Sequence, residues 1–291
     1  MLVAAGCGGG SAASSGDGRG PLVATVADRG SFSVPCDYSH SSTADPIVHP
    51  GHAGMGHRHD FFGATTTGPA STADTLLAGG TTCRSAFDRS AYWAPSLLAG
   101  GRPVRPTHVQ AYYRAPVGAD VRAVQPPPDG LQMIAGDAEA TAAQDPAVVR
   151  WSCGLAGDAA AVPERCAATG AELRLVLVFP QCWDGEDLAS PDHRAHLAYL
   201  PGTDAEREAA GAACPAAHPV MLPEVTVEVR YPTDLPPGPL ALASGRATGG
   251  HGDLIVAWDR EHLASEVDTC VRRNLRCDVT SEPERLDTAP A

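Results

Sequence analysis

The chain has 291 residues, 43% of them hydrophobic, and a formal net charge of −13. That length suits one large domain or two small ones. The acidic balance excludes a phosphate-seeking nucleic-acid binder, whose contacts need clustered basic residues, and no apolar run approaches the roughly 20 residues that cross a bilayer. All 21 basic residues are Arg, so Schiff-base, phosphate-loop and Ser-Lys chemistries are excluded with Lys.

The chain opens Met1-Leu2-Val3-Ala4-Ala5-Gly6-Cys7 and continues GGGSAASSGDGRG. Small residues before a Cys, then a Gly/Ser-rich stretch, predict a truncated lipoprotein signal over 1–7, with lipid on Cys7, and a flexible tether over 8–26. Membrane contact is then through that anchor alone. Residues 27–280 are expected to fold as one globular domain, and the polar, Pro-punctuated 281–291 to form a disordered tail. Setting Cys7 aside leaves eight of the nine cysteines, enough for four disulfides in an oxidising, extracytoplasmic compartment. Eight cysteines allow roughly a hundred pairings; Cys36–Cys83, Cys153–Cys166, Cys182–Cys214 and Cys270–Cys277 together make one of them. No C-x-x-C occurs, which weakens zinc-ribbon and thioredoxin-like readings.

Strand signals outnumber helix signals. Phe32 and Val34 lead into Cys36. Val109–Arg114 and Leu254–Trp258 are candidate strands; LRLVLVF over 173–179 stops at Pro180 as a buried central strand would, and VTVEVRY over 225–231 alternates as a half-buried one. A short helix is predicted over 204–213. A second follows Asp259 as N-cap, with Leu263, Val267, Val271 and Leu275 at four-residue steps. Gly and Pro number 31 and 26, so turns are frequent. Together these predict a mostly β, single-domain, β-sandwich-like fold with a few peripheral helices, stabilised by disulfides.

Chemistry concentrates in three polar clusters. The first holds His57-Arg58-His59; on an extended segment the two-residue period puts both imidazoles on one face. The second runs from Trp183-Asp184 to Asp192-His193-Arg194-Ala195-His196. The third is His251-Gly252-Asp253. His57, His59, His251 and Asp253 are candidate ligands of a divalent metal, Zn, Cu or Mn. Asp184 and Asp192, with His193 or His196, are candidate acid/base groups for glycan hydrolysis. A lyase would instead use His193 or Tyr199 as base and Arg194 to neutralise a uronate. Tyr92, Trp93, Tyr112, Tyr113 and Trp183 offer flat faces for a sugar. No Gly-x-Ser-x-Gly elbow and no dinucleotide or phosphate-loop signature is present.

Asp45-Pro46-Ile47-Val48 before GHAGMGHRHDFFG, then DRSAYWAP, GLQMIAGD, CWDG-x-x-L-x-S-x-DH-x-x-H-x-AY and CPAAHPVMLP, resemble in order the bacterial and fungal family of unknown function numbered nineteen ninety-six. The resemblance runs from about Asp28 to Cys277. Carried over, the family's motif positions are His57, His59, Trp183, Asp184, Asp192, His193, His196, His218, His251 and Asp253. It departs at His251-Gly252-Asp253-Leu254, where the family has a larger residue and often Phe after the Asp. The resemblance implies a secreted or wall-associated domain and supplies no reaction. Three functions stay open: a polysaccharide hydrolase or lyase, a divalent-metal-binding protein, and a non-enzymatic module that binds polysaccharide or cell-wall glycan.

Overall fold

The structure, a computed structural model, describes residues 25–26, 29–153, 158–159, 161–163, 166 and 171–277. Cys7, most of the predicted tether and the predicted tail lie outside the described residues. Thr25–Val26, at the end of the predicted tether, pair with Leu275–Arg276.

The main sheet has twelve strands among the described residues, three of them two-residue edge pieces, and its body is β1 (Ser31–Ser42), β2 (His59–Gly63), β3 (Ala91–Pro95), β4 (His108–Arg114), β5 (Gln132–Gly136), β6 (Val149–Ser152), β7 (Arg174–Val178), β8 (Glu224–Arg230) and β9 (His251–Ile255). Their order is β6-β7-β8-β4-β1-β2-β3-β9-β5, and each neighbouring pair is antiparallel. The sheet nearly closes on itself. The long strand β1 makes this possible. Its first half pairs with β4, its second half with β2, and the register shifts between Tyr38 and His40. Such a bulge bends a strand and increases its twist, so one strand serves two layers.

Alternation along each strand sorts side chains between faces. Phe32, Val34 and Cys36 of β1 point inward to meet Phe62, Tyr92, Tyr113, Met133, Leu175, Leu177 and Val227 in the main core. The β2-β3-β9-β5 layer also buries its other face. Phe61, Trp93, Ile134 and Ile255 pack there against Ile47 and Leu76 of the covering segments. Such a layer, covered on both sides, reads as a continuous buried run rather than an alternating one. All five residues of β2, β3 and β9 are buried. The four bridges are Cys36–Cys83, Cys153–Cys166, Cys182–Cys214 and Cys270–Cys277.

Among the described residues three short α-helices sit at the periphery: α1 (Ala73–Leu77), α2 (Asp204–Ala210) and α3 (Arg260–Glu266). Helix α2 starts where predicted, at a capping box of Thr203 and Glu206, and ends three residues early at Gly211, whose φ of 85° suits glycine. Helix α3 takes Asp259 as N-cap as expected. It then widens into a π-turn over Val267–Val271, and Leu275 lies in a two-residue strand rather than on a helical face. Strand β9 ends at Ile255 and begins at His251, so the predicted 254–258 strand is displaced toward the third polar cluster.

Candidate metal centre

The covered face of the β2-β3-β9-β5 layer carries the site. Register places Phe61 of β2 and Asp253 of β9 on either side of Trp93 of β3. His59 and His251 lie one side-chain period further along their strands, on the same face. His57 precedes β2, and its ring centroid is 4.2 Å from that of His59 and 5.0 Å from that of His251. Donor atoms of His57, His59 and His251 all lie within 4.8 Å of one another. Those of Asp45, His59 and Asp253 form a second such triple, sharing His59. Tetrahedral metal bonds of about 2.1 Å hold donors roughly 3.4 Å apart, so small side-chain rotations close either set.

The imidazoles are oriented by the backbone. His59 Nδ1 lies 3.2 Å from the Ala44 carbonyl, and His251 Nδ1 lies 2.8 Å from the Gly249 carbonyl. A carbonyl only accepts, so in both rings Nδ1 carries the proton and Nε2 presents a lone pair. His59 Nε2 is buried without a hydrogen-bond partner, and so is Asp253 Oδ2. His251 Nε2 faces His57 Nε2 at 3.1 Å. A buried polar atom left unpaired costs about 1–3 kcal/mol, and here a nitrogen lone pair and a carboxylate oxygen are left so in one cluster. These donors fit a divalent transition ion. An imidazole-rich set favours Zn²⁺ or Cu²⁺ over Mn²⁺.

Electrostatics match the burial. Burial and the neighbouring His57 and His251 rings hold His59 well below the usual imidazole value, and burial pushes His251 down to about 4. His57 is lowered mainly by burial, against the pull of Asp45 and Glu139. Asp253 is raised well above the usual carboxylate range by burial and by Asp45, with Arg194 opposing. The cluster therefore holds neutral imidazoles, as metal ligation requires.

The cluster opens into a cavity of about 320 Å³ whose lining includes Asp45, His57, Asp137, Glu139, Arg194 and His251. Met55 and Val48, two exposed large hydrophobic residues, stand at its wall. Gly252, between the two third-cluster residues, faces the opposite layer. A Cβ there would lie 2.3 Å from Leu177 Cδ1 and 3.0 Å from the Trp93 carbonyl oxygen. Glycine thus lets β9 press onto β7.

The second cluster does different work. β5 is the last strand on its side of the sheet, and residues 184–196 fasten along it. His196 Nε2 contacts the Gln132 carbonyl at 2.7 Å, Gln132 N–H donates to the Leu188 carbonyl, and Arg194 Nη2 donates to the Gly136 carbonyl at 2.6 Å. Covering an edge strand in this way satisfies its exposed groups, and it brings Arg194 to the cavity. His196 itself is buried, its Nδ1 2.9 Å from Ser190 Oγ. Asp184 accepts from the N–H groups of Glu186 and Asp187. Asp192 accepts from Ala195, Ser190 and Arg194, which hold its carboxyl far below the usual range. Both aspartates are thus spent on turns. His193 is half-buried with φ at 62°, and neither it nor His196 joins the three-imidazole cluster. The Tyr199 hydroxyl donates to the Val178 carbonyl, and burial raises its pKa, which disfavours it as a base.

The predicted stacking aromatics do not share a cleft. Trp93, 2% exposed, packs against Phe61. Tyr92 and Tyr113 are core residues joined hydroxyl to hydroxyl at 2.7 Å; Tyr92 donates onward to Asp88, and Tyr113 stacks on Phe32. Aromatic rings with no open face cannot carry a sugar; burial won here because these side chains supply the bulk of the core. Tyr112 and Trp183 are partly open, the first beneath the Arg114 guanidinium and the second donating to the Asp187 carbonyl. Asp45 is the site residue that sequence reasoning passed over. It stands 12 residues before His57 in a turn, where its Oδ1 accepts from Ile47 and Val48, and the Asp-Pro opening of that turn was the available signal.

Fold and site define a disulfide-framed, mostly β domain with a buried His/Asp cluster under one face of its sheet. The family model described as "Domain of unknown function (DUF1996)" matches residues 45–258, a span that holds Asp45, His57, His59, His251 and Asp253. The chain belongs to this family. No curated protein and no solved structure matches it.

Proposed function

We propose that the domain binds a divalent first-row transition ion through His57, His59, His251 and Asp253, and uses that centre on a polysaccharide outside the cytoplasm. The observation that carries the metal reading is the pair of backbone-held imidazoles, His59 and His251, whose Nε2 atoms are turned into one cluster. A bound ion supplies a Lewis acid and a lowered water pKa. The chain's own residues hold the imidazoles neutral, keep Asp253 away from bulk water and set Arg194 at the cavity. The four disulfides support an oxidising compartment, and lipid on Cys7 is proposed as the tether to the membrane. A cavity of about 320 Å³ admits a group the size of a sugar ring. Asp137 and Glu139 in its wall favour a neutral or amino sugar over a uronate at this site.

The test is metal analysis of protein purified without an affinity tag, followed by zinc titration and a polysaccharide panel assayed for reducing ends and unsaturated products. One ion per chain is expected, with a rise in thermal midpoint on adding zinc that His59→Ala and His251→Ala abolish. At a hundredfold excess over Kd, binding stabilises by about 2.7 kcal/mol, or roughly 5–11 °C for a domain of this size. Substoichiometric metal together with an unmoved midpoint rejects the metal centre; a metal-loaded protein that releases nothing from the panel rejects the polysaccharide assignment alone.

A further inference from the structure

A second, larger cavity of about 650 Å³ opens on the outer face of the β4-β8-β7 layer, beneath the segment that leads into α2. Outward-facing Arg114 of β4 and Glu224 and Thr226 of β8 form its floor, with Arg29, Tyr199 and Arg207 among its walls. Its carboxylates are committed. Glu224 accepts from Arg29 Nη2 at 2.8 Å, Asp204 is held by Arg207, and Asp145 accepts from the Ala147 N–H. Arg114 is left over. Its guanidinium lies 4.1 Å over the Tyr112 ring, and among the described residues it has no hydrogen bond or ion pair. Beside it Thr226, 2% exposed, has a hydroxyl with no partner, and Arg207 Nε is likewise unpaired. A guanidinium and an N–H only donate and a hydroxyl can donate, so one acceptor would serve all three; the pull of Glu224 on Arg114 is opposed by Arg29, to which Glu224 is already bonded.

We propose that this cavity is a binding site for a carboxylate-bearing small molecule of sugar size, its carboxylate taken by Arg114 and Thr226. Arg pairs with carboxylate through two parallel N–H bonds, and a volume of about 650 Å³ falls in the range of small-ligand sites. The site is separate from the His/Asp cavity; the two share no lining residue.

The experiment is calorimetric titration of the full chain with D-glucuronate and with D-glucose as the neutral control, at constant ionic strength. Glucuronate is expected to saturate and to bind at least about tenfold more tightly than glucose; each tenfold is 1.4 kcal/mol. Arg114→Gln and the isosteric Thr226→Val are each expected to weaken glucuronate by about tenfold or more while zinc binding at the histidine cluster stays unchanged. Absence of saturable glucuronate binding, equal affinity for glucose, or undiminished affinity in both variants overturns the proposal.

Discussion

Acid stability of the metal-free protein tests the buried imidazoles directly. The ordinary imidazole value is 6.5, and in the folded chain His251 titrates at about 4. Between those values the unfolded chain binds more protons than the folded one, so stability falls as pH falls. The full gap is about 3 kcal/mol at 1.36 kcal/mol per pH unit, and about 2 kcal/mol of it is lost between pH 7 and pH 4.5. His59 moves in the same direction. Asp253 moves oppositely, since its raised pKa lets the folded state hold a proton that the unfolded state has released. Its contribution is therefore largest at low pH and is lost as pH rises. Comparing wild type with His251→Gln isolates the first effect, because Asp253 is common to both. Urea unfolding in the presence of a chelator, at pH 7 and pH 4.5, is the assay. The variant is expected to lose about 2 kcal/mol less than wild type across that interval. Equal losses in the two proteins would refute the argument that burial holds His251 neutral.

Asp253→Asn removes a buried carboxylate whose Oδ2 has no partner. It is expected to leave the metal-free thermal midpoint unchanged or raised, and to cut the zinc-induced shift by more than half; an undiminished shift would remove Asp253 from the ligand set. Gly252→Val places a side chain where even a Cβ lies 2.3 Å from Leu177 Cδ1. Overpacking of that kind costs about 1–3 kcal/mol, read as a lower urea midpoint, and a variant as stable as wild type would contradict the close approach of β9 to β7. Loop entropy ranks the bridges. Replacing both cysteines of Cys36–Cys83, 47 residues apart, is expected to cost about 4 kcal/mol, and of Cys270–Cys277, 7 apart, about 2 kcal/mol. Denaturation of the paired Ser variants checks that order.

What the sequence discloses follows from the range of the forces involved. The starts of α2 and α3 were readable because a cap is local: Thr203 with Glu206, and Asp259, act within one turn; the five-residue α1, capped by Thr72, was too short to show an apolar period. The β7 and β8 runs were readable because their apolar patterns are contained in seven residues. Strands β2, β3 and β9 were harder, since a layer buried on both faces hides the alternation that marks a half-exposed strand. The first and third polar clusters could be grouped from residue type alone as one candidate ligand set, but the strand order that brings them into contact could not be read. His57 and His251 are 194 residues apart and meet because β2 and β9 flank β3. The second cluster carried the same residue types, and its aspartates and His196 were absorbed by turns and by the edge of β5.

Cost separates a metal centre from a merely structural knot of histidines. A structural histidine spends its ring nitrogens on hydrogen bonds, as His196 does with Gln132 and Ser190. In the candidate centre two rings spend Nδ1 on the backbone and turn Nε2 toward other donors. His57 Nε2 and His251 Nε2 lie 3.1 Å apart, a distance that calls for a proton or a cation between them. A shared proton on a neutral His57 relieves that one contact, and it leaves His59 Nε2 and Asp253 Oδ2 unpaired. A further proton would make an imidazolium, which burial opposes at both His59 and His251. In the proposed centre a divalent ion would draw on the donors of His57, His59 and His251, and would place positive charge near Asp45 and Asp253, which form a second donor group with His59.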